Sequence, residues 1–168
     1  TDAMGFVAEY TYDDLQRLVK ATLPALAGEN REVKIVYDKV GNTLSMLEPD
    51  GKNTVWEYDN RNRKISETIV GTNAEAISKV WTYDNLKNIK TLKEGNLVTT
   101  YIYDKVYNLV ETNFPDGQRL IKQYDKLNRV TNEQNANGSE KVFEYNSLNQ
   151  ITKHRDEEYT PTEFKYDV

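Results

Sequence analysis

The chain has 168 residues, of which 27 are acidic and 22 are basic, so its formal net charge is −5. It lacks the basic field that collects phosphate groups, and we expect no nucleic-acid partner. The absence of cysteine and the presence of a single histidine exclude disulfides, thiolate catalysis and a histidine-based triad or metal site within these residues.

Residues 1–5 match no position of the pattern described below, and we regard them as a cloning remnant outside the fold. No apolar run approaches the length needed to cross a bilayer, and no leader pattern is present. We therefore expect no membrane span, and we expect any export signal to lie outside this segment.

A tyrosine-aspartate pair recurs along the rest of the chain. Successive repeat tyrosines lie 25, 21, 25, 20, 21, 21 and 21 residues apart, a period typical of one supersecondary unit stacked many times. The pairs are Tyr12-Asp13, Tyr37-Asp38, Tyr58-Asp59, Tyr83-Asp84, Tyr103-Asp104, Tyr124-Asp125 and Tyr166-Asp167, with Tyr145-Asn146 as a near match. Residues 6–168 are thus predicted to form one array of about seven repeats.

Residues 14–28 have the composition of a helix by propensity alone. Aligned on Tyr12, however, Pro24 takes the same offset as Pro49 and Pro115, which both precede an Asp-Gly pair. We therefore predict another hairpin here, with an insertion of about four residues at its far turn. The second long spacing puts a similar insertion at residues 71–76.

Each repeat contains two kinds of turn. The first turn starts at the repeat aspartate, which can accept a backbone N–H two residues on, and it continues to a Gly or Asn that tolerates positive φ. The second turn lies 12 to 14 residues past the tyrosine and places Gly51, Gly117 or Gly138 at the left-handed position. Alternating turn signals about ten residues apart predict an all-β antiparallel meander of stacked hairpins.

Residues i and i+2 of a strand share a face, so the residue two before each repeat tyrosine should lie beside it. We call these positions the ring stripe, since most are aromatic. They are Tyr10, Ile35, Trp56, Trp81, Tyr101, Lys122, Phe143 and Phe164. Cross-strand pairing is the plain interpretation of the stripe, and stacking on sugar rings is the alternative.

The combination Tyr-Asp-x-x-(Gly/Asn)-(Asn/Arg), followed by Pro-Asp-Gly and another Tyr-Asp, resembles the RHS or YD-repeat family over residues 6–168. The resemblance implies a strip of hairpins that spirals into a hollow shell around a variable C-terminal effector, as in exported bacterial polymorphic toxins, toxin-complex components and teneurins. The Asp-Pro-rich core motif of that family is absent from these residues. Lys87, Tyr107, Lys122 and Asn146 also depart from the repeat pattern.

From this resemblance we expect a non-enzymatic structural segment of a secreted or cell-surface protein. Its partners would be the remainder of the parent chain and the C-terminal effector, with self-association through exposed sheet edges. A carbohydrate- or cell-surface-binding module that uses the aromatic members of the stripe, Tyr10, Trp56, Trp81, Tyr101, Phe143 and Phe164, is the alternative, with surface glycans as partners. We expect no catalytic residue, metal or cofactor, because turn hydrogen bonding explains the repeated aspartates without chemistry.

Overall fold

The computed structural model describes residues 7–24, 31–72, 75–156 and 161–166 of the chain. Within these ranges every regular element is a strand. The strands are β1 (Glu9–Tyr12), β2 (Leu18–Leu23), β3 (Arg31–Tyr37), β4 (Thr43–Leu47), β5 (Asn53–Tyr58), β6 (Lys64–Val70), β7 (Ile77–Tyr83), β8 (Ile89–Glu94), β9 (Leu97–Tyr103), β10 (Leu109–Asn113), β11 (Arg119–Tyr124), β12 (Val130–Asn135), β13 (Glu140–Tyr145), β14 (Ile151–Arg155) and β15 (Thr162–Glu163).

The strands pair in strict chain order from β1 to β15 in one sheet. Neighbours are antiparallel, as in the pairing of Ile35 with Met46 across β3 and β4 and of Lys122 with Glu133 across β11 and β12. Each connection is therefore a hairpin, and the predicted all-β meander is confirmed. The helix that propensity favours near the start of the chain does not form, since residues 18–23 are strand β2. The predicted insertion after Pro24 lies outside the described residues, as does the middle of the one at residues 71–76.

The chain divides into two compact units. The first comprises Thr1–Trp81 and Lys93–Asn96, and the second comprises Thr82–Leu92 and Leu97–Val168. The predicted start of the array at residue 6 lies outside the described residues and stays a prediction.

A β-bulge lies just before the repeat tyrosine in most hairpins. The register shifts between Val36 and Tyr37, between Gln123 and Tyr124, and between Glu144 and Tyr145. One extra residue on the return strand, the strand that follows each first turn, absorbs the shift. The bulge increases the local twist and sets which side chains meet across the hairpin.

The few buried residues of the described ranges lie on the face of the sheet that carries the ring stripe. The buried residues are Ala21, Thr54 and Thr112, at 5%, 6% and 7% exposure. Ala21 lies opposite Tyr10 and Thr112 lies opposite Tyr101, so small side chains sit beside large rings. Among the described residues no large side chain is fully buried. Strand pairing and cross-strand side-chain contacts therefore hold this fold together more than a packed interior does.

Candidate functional site

The first turns share one backbone geometry. In the turn that begins at Asp59, the Asp59 amide donates to the Arg63 carbonyl at 2.9 Å and the Asn62 amide donates to the Asp59 carbonyl at 3.0 Å. The fourth residue of each first turn that the structure describes has a positive φ. These residues are Gln16, Gly41, Asn62, Lys87, Tyr107, Asn128 and Asn149. A type I turn followed by a left-handed residue closes a hairpin in this way, and the predicted turn chemistry is confirmed.

The repeat aspartate braces its own turn. Asp59 Oδ1 accepts the Arg61 amide at 2.8 Å and the Arg63 amide at 3.0 Å, while Oδ2 accepts Arg63 Nε at 2.7 Å. Asp13, Asp38, Asp84, Asp104 and Asp125 make the same set of bonds. Asp167 lies outside the described residues.

These bonds also set the protonation of the aspartates. The Arg63 amide and then its guanidinium hold the pKa of Asp59 down at about 2, against an ordinary value of 3.8. For Asp38 and Asp104, desolvation raises the pKa, but the combined hydrogen bonds from the turn outweigh it and the net shift is downward. The carboxylates are thus held ionised for a structural purpose, as acceptors of turn N–H groups.

The fifth residue of each first turn is a second bracing element, which the sequence interpretation missed. Arg129 donates from Nε to Asp125 Oδ2 at 2.7 Å and reaches the next repeat with Nη1, which donates to the Asn146 carbonyl at 3.0 Å. Its guanidinium carbon lies 4.6 Å from the centroid of the Tyr145 ring. A signal existed, since the fifth residues are all Arg, Asn or Gln: Arg17, Asn42, Arg63, Asn88, Asn108, Arg129 and Gln150.

In the seventh repeat, the hydrogen bond between the first and fifth residues of the turn is kept, but its direction is reversed. Asn146 Oδ1 accepts the amides of Leu148 and Gln150 at 2.9 and 3.0 Å. Asn146 Nδ2 then donates to Gln150 Oε1 at 2.8 Å, so the repeat side chain donates where aspartate accepts. The replacement of the repeat aspartate by Asn146 is therefore compensated by Gln150 at the fifth position.

Five of the repeat tyrosines join their hairpin to the preceding one. Tyr58 donates its hydroxyl to the carbonyl of Thr43 at 3.0 Å, and Tyr145 donates to Val130 at 2.7 Å. Tyr103, Tyr124 and Tyr166 donate in the same way to Ile89, Leu109 and Ile151. Every acceptor is the first residue of the preceding return strand. The ring of Tyr37 instead lies under the guanidinium of Arg17, at 4.6 Å.

The ring stripe is built mainly of contacts across hairpins. Trp56 Nε1 donates to Glu67 Oε2 at 2.8 Å, and the Lys64 ammonium nitrogen lies 4.9 Å from the Trp81 ring centroid. Phe143 stacks on His154 with ring centroids 5.0 Å apart, a partnership that the sequence interpretation missed.

The remaining stripe positions differ in exposure. Lys122 replaces a ring with an ion pair to Glu133, Nζ to Oε1 at 2.7 Å. Tyr10 and Phe164, in the first and last hairpins described, are 56% and 43% exposed, and Tyr101 is half-buried. Sugar binding by the stripe stays a prediction.

The second turns repeat the same backbone geometry with a different brace. Gly51, Gly117 and Gly138 take the left-handed position at φ of 84°, 82° and 93°. Here the third residue of the turn is the acceptor: Asp116 Oδ1 accepts the Gln118 amide at 2.9 Å and Asn137 Oδ1 accepts the Ser139 amide at 3.0 Å. The sequence Asn137-Gly138-Ser139 also matches the acceptor pattern for N-glycosylation, but its part in this turn is enough to account for these residues.

The described residues were also compared with the requirements of a membrane span and of a metal site. In the described ranges no helix is long and apolar enough to cross a membrane. In those same ranges no three His, Cys, Asp or Glu side chains are grouped so as to hold a metal ion.

No protein-family model matches the chain, and neither does any curated protein. Solved toxin-complex structures do. A crystal structure of TcdB2-TccC3-Cdc42 aligns over 89% of this chain with a TM-score of 0.73 and 16% identity. The Photorhabdus luminescens Tc holotoxin pore with the TccC3-D651A mutation aligns over 89% with a TM-score of 0.71 and 18% identity. TcdB2-TccC3 without its hypervariable C-terminal region aligns over 89% with a TM-score of 0.72 and 17% identity.

The chain spans only 9% of the length of each of these matched chains. At such identities the likeness shows the fold: this hairpin meander also occurs as a small part of large toxin-complex chains. That finding agrees with the fold implied by the YD-repeat resemblance.

Proposed function

We propose that this chain is a non-enzymatic structural segment of a large exported RHS/YD-repeat protein. It forms part of the wall of a shell that encapsulates or displays a toxin-like C-terminal domain. The observation that carries the proposal is a pair of bonds that recurs along the array: the repeat aspartate accepts bonds from its own turn, and in five repeats the tyrosine hydroxyl donates to the preceding hairpin. Side chains used in this way extend a sheet and leave few groups for chemistry.

The likeness to toxin-complex chains supports the proposal at the level of the fold. Because the chain spans 9% of the matched chains, its role is that of one stretch among many. One matched complex was crystallised without its hypervariable C-terminal region, which motivates the expectation of a variable effector in the parent of this chain. Fold likeness alone does not determine function, so the parent protein must be tested directly.

The test is protection of the C-terminal domain from protease in the parent protein. We expect the reading frame to encode many further Tyr-Asp repeats and the C-terminal domain to resist digestion while the shell is intact. Asp59→Asn combined with Asp125→Asn should loosen two turns of the wall and make the domain cleavable. Leu148→Ser is the matched control, because this turn residue is 75% exposed and should leave protection unchanged.

Two results would reject the proposal. One is a parent reading frame with only a handful of repeats and no domain after them. The other is a C-terminal domain that is cleaved at the same rate in the unmodified parent and in the variant with both aspartates replaced.

A further inference from the structure

The turn between β12 and β13 contains Asn137 followed by Gly138, the one Asn-Gly pair in the sequence. Its backbone has the geometry of the other second turns. The Asn135 amide donates to the Ser139 carbonyl at 2.8 Å, and the Gly138 amide donates to the Asn135 carbonyl at 3.0 Å. Asn137 and Gly138 are both exposed, so this pair lies at the surface of the hairpin.

The two equivalent turns carry aspartate where this turn carries Asn137. Oδ1 of Asp50 and Oδ1 of Asp116 each accept the amide two residues on at 2.9 Å. Asn137 Oδ1 accepts the Ser139 amide in the same way at 3.0 Å, and Asn137 Nδ2 has no partner within the described residues. The turn therefore uses the side-chain oxygen that aspartate also has, and it makes no use of the amide nitrogen that aspartate lacks.

The residue after Asn137 leaves a backbone nitrogen open to reaction. Glycine has no Cβ to hinder the approach of its own nitrogen to the preceding side chain. The other asparagines of the chain are all followed by residues that have a side chain. A Cβ atom at Gly138 would meet no atom of the described residues within 4 Å, so the surroundings of this nitrogen are also open.

We propose that Asn137 is a site of spontaneous deamidation. The Gly138 nitrogen attacks Cγ of Asn137 and forms a C–N bond, while the bond from Cγ to Nδ2 breaks. The proton of the Gly138 nitrogen passes through water to the departing amide nitrogen, which leaves as ammonia. Water then opens the succinimide ring at one of its two carbonyl carbons. Cleavage of the new bond gives aspartate, and cleavage of the original peptide bond gives isoaspartate.

The folded turn slows this reaction. The bond to the Asn135 carbonyl holds the Gly138 proton that has to leave, and the bond from the Ser139 amide holds the Asn137 side chain. Both bonds must break before Cγ can reach the Gly138 nitrogen, so the turn has to open first. Local opening costs less free energy than global unfolding and occurs repeatedly in the native state. The folded chain therefore deamidates at a rate that the opening of this turn determines.

The two products have different effects on the turn. The aspartate product has the Asp-Gly pair of the equivalent turns, and its carboxylate accepts the Ser139 amide in a stronger, charge-assisted bond. Isoaspartate adds a methylene group to the main chain, so the amide and carbonyl spacing of the turn is lost. Either product adds one negative charge to the formal net charge of −5. As the protein ages it divides into molecules with an intact β12–β13 hairpin and molecules with a loosened one.

The experiment is peptide mapping of the isolated chain by mass spectrometry after incubation for days at neutral pH, both folded and in guanidinium chloride. Conversion of amide to acid is followed at every asparagine, and electron-transfer fragmentation separates aspartate from isoaspartate. We expect Asn137 to convert faster than any other asparagine in the denatured chain. Its conversion there should be at least about tenfold faster than in the folded chain, the factor for an opening free energy of about 1.4 kcal/mol. The site does not depend on the wall proposal, since the isolated chain contains it.

Ala136→Pro is the decisive variant. The two equivalent turns have proline at this position, Pro49 and Pro115, and the Ala136 amide makes no hydrogen bond within the described residues. A compatible proline favours the closed turn, so deamidation of the folded variant should slow by about two- to fivefold. In guanidinium chloride the variant should react at the rate of the unmodified chain, which serves as the matched control. Asn137→Asp supplies the aspartate product, and its melting temperature should be at least that of the unmodified chain.

Three results would overturn the proposal. Another asparagine could convert while Asn137 does not, the folded and denatured chains could convert Asn137 at equal rates, or Ala136→Pro could leave the folded rate unchanged. A lower melting temperature for Asn137→Asp would reject the conclusion that the aspartate product preserves the turn.

Discussion

Tyr124 donates its hydroxyl to the carbonyl oxygen of Leu109 at 2.9 Å, and so bonds one hairpin to the first residue of the return strand in the hairpin before it. The two residues are 15 apart in the chain. The hydroxyl of Tyr124 is protonated at neutral pH because the ordinary pKa of a tyrosine is 10.0, and desolvation of the phenol raises this pKa further. The repeat tyrosine is thus a connector between repeats as well as a strand residue.

Replacement of Tyr124 by Phe should remove this connection with little change in shape. We expect a loss of about 0.5 to 1.5 kcal/mol in the free energy of unfolding, the net value of a typical hydrogen bond. Tyr12→Phe is the matched control, because Tyr12 is a repeat tyrosine that is 54% exposed and has no hydroxyl partner within the described residues. Urea denaturation of both variants gives the comparison, and equal losses would contradict the connector role.

The Asp125 and Arg129 pair should show strong coupling. Asp125→Asn places an amide donor against the Arg129 guanidinium, which has no acceptor to offer. Asp125→Asn with Arg129→Gln reproduces the arrangement of Asn146 and Gln150 seen one repeat later. We therefore expect the double variant to melt at a higher temperature than the sum of the two single losses predicts. Additive losses would show that Asp125 and Arg129 contribute independently, and would contradict this coupling.

Asp38→Asn should be milder than Asp125→Asn. The fifth residue of its turn is Asn42, whose Nδ2 donates to Asp38 Oδ2 at 2.8 Å. An amide can turn over and present its oxygen to a new donor, whereas a guanidinium cannot. The measurement is the difference in melting temperature between the two variants, and a larger drop for Asp38→Asn would reject this explanation.

Acid should weaken the fold through the bracing aspartates. The pKa of Asp59 in the folded chain, about 2, is below its ordinary value of 3.8, so ionised Asp59 stabilises the fold above pH 3.8. That contribution is lost as the pH falls from about 4 to about 2, and the lowered pKa values of Asp13, Asp38, Asp104 and Asp125 act in the same direction. Melting temperature measured against pH should fall through this window, less steeply in Asp59→Asn. A flat profile would contradict the account.

Substitutions of Gly117 can distinguish the effect of backbone strain from the effect of packing. A Cβ atom at this position would meet no atom of the described residues within 4 Å, while the φ of 82° disfavours a side chain. Gly117→Ala should lower the free energy of unfolding by about 1 kcal/mol, and Gly117→Asn should lower it less, because Asn tolerates the left-handed region. Equal losses for Ala and Asn would show that the conformation of this turn is not the cause.

The meander could be predicted because the same local signals recur in every repeat. Asp-x-x-(Gly/Asn) and Pro-Asp-Gly each specify a turn through contacts within five residues. Because these turn motifs recur at a fixed period, the alignment of residues 14–28 with the other repeats favoured a hairpin over the helix that their propensity alone indicates. The bracing role of the fifth residue of each first turn had a signal in the sequence, because this position is always Arg, Asn or Gln. From the sequence alone, we interpreted these residues only as polar turn residues. Asn146 looked like a defect because its partner Gln150 was not considered with it.

The connecting hydrogen bonds and ring partners could not be predicted in the same way. The acceptor of each connecting tyrosine hydroxyl is a backbone carbonyl, which any residue type can provide, so the residue sequence does not indicate it. The partner of each stripe residue depends on cross-strand register, which the bulge before the tyrosine shifts by one residue. The pairing of Phe143 with His154 follows from that register.

The most direct test of the account is cross-strand NMR contacts in the isolated chain. The meander predicts NOEs between Lys122 and Glu133 and between Asn132 and Val142, together with contacts between the Tyr124 ring and Leu109. It also predicts extended chemical shifts over residues 18–23. Sequential helical NOEs over those residues, or a Tyr124 ring without contacts to the preceding hairpin, would contradict it.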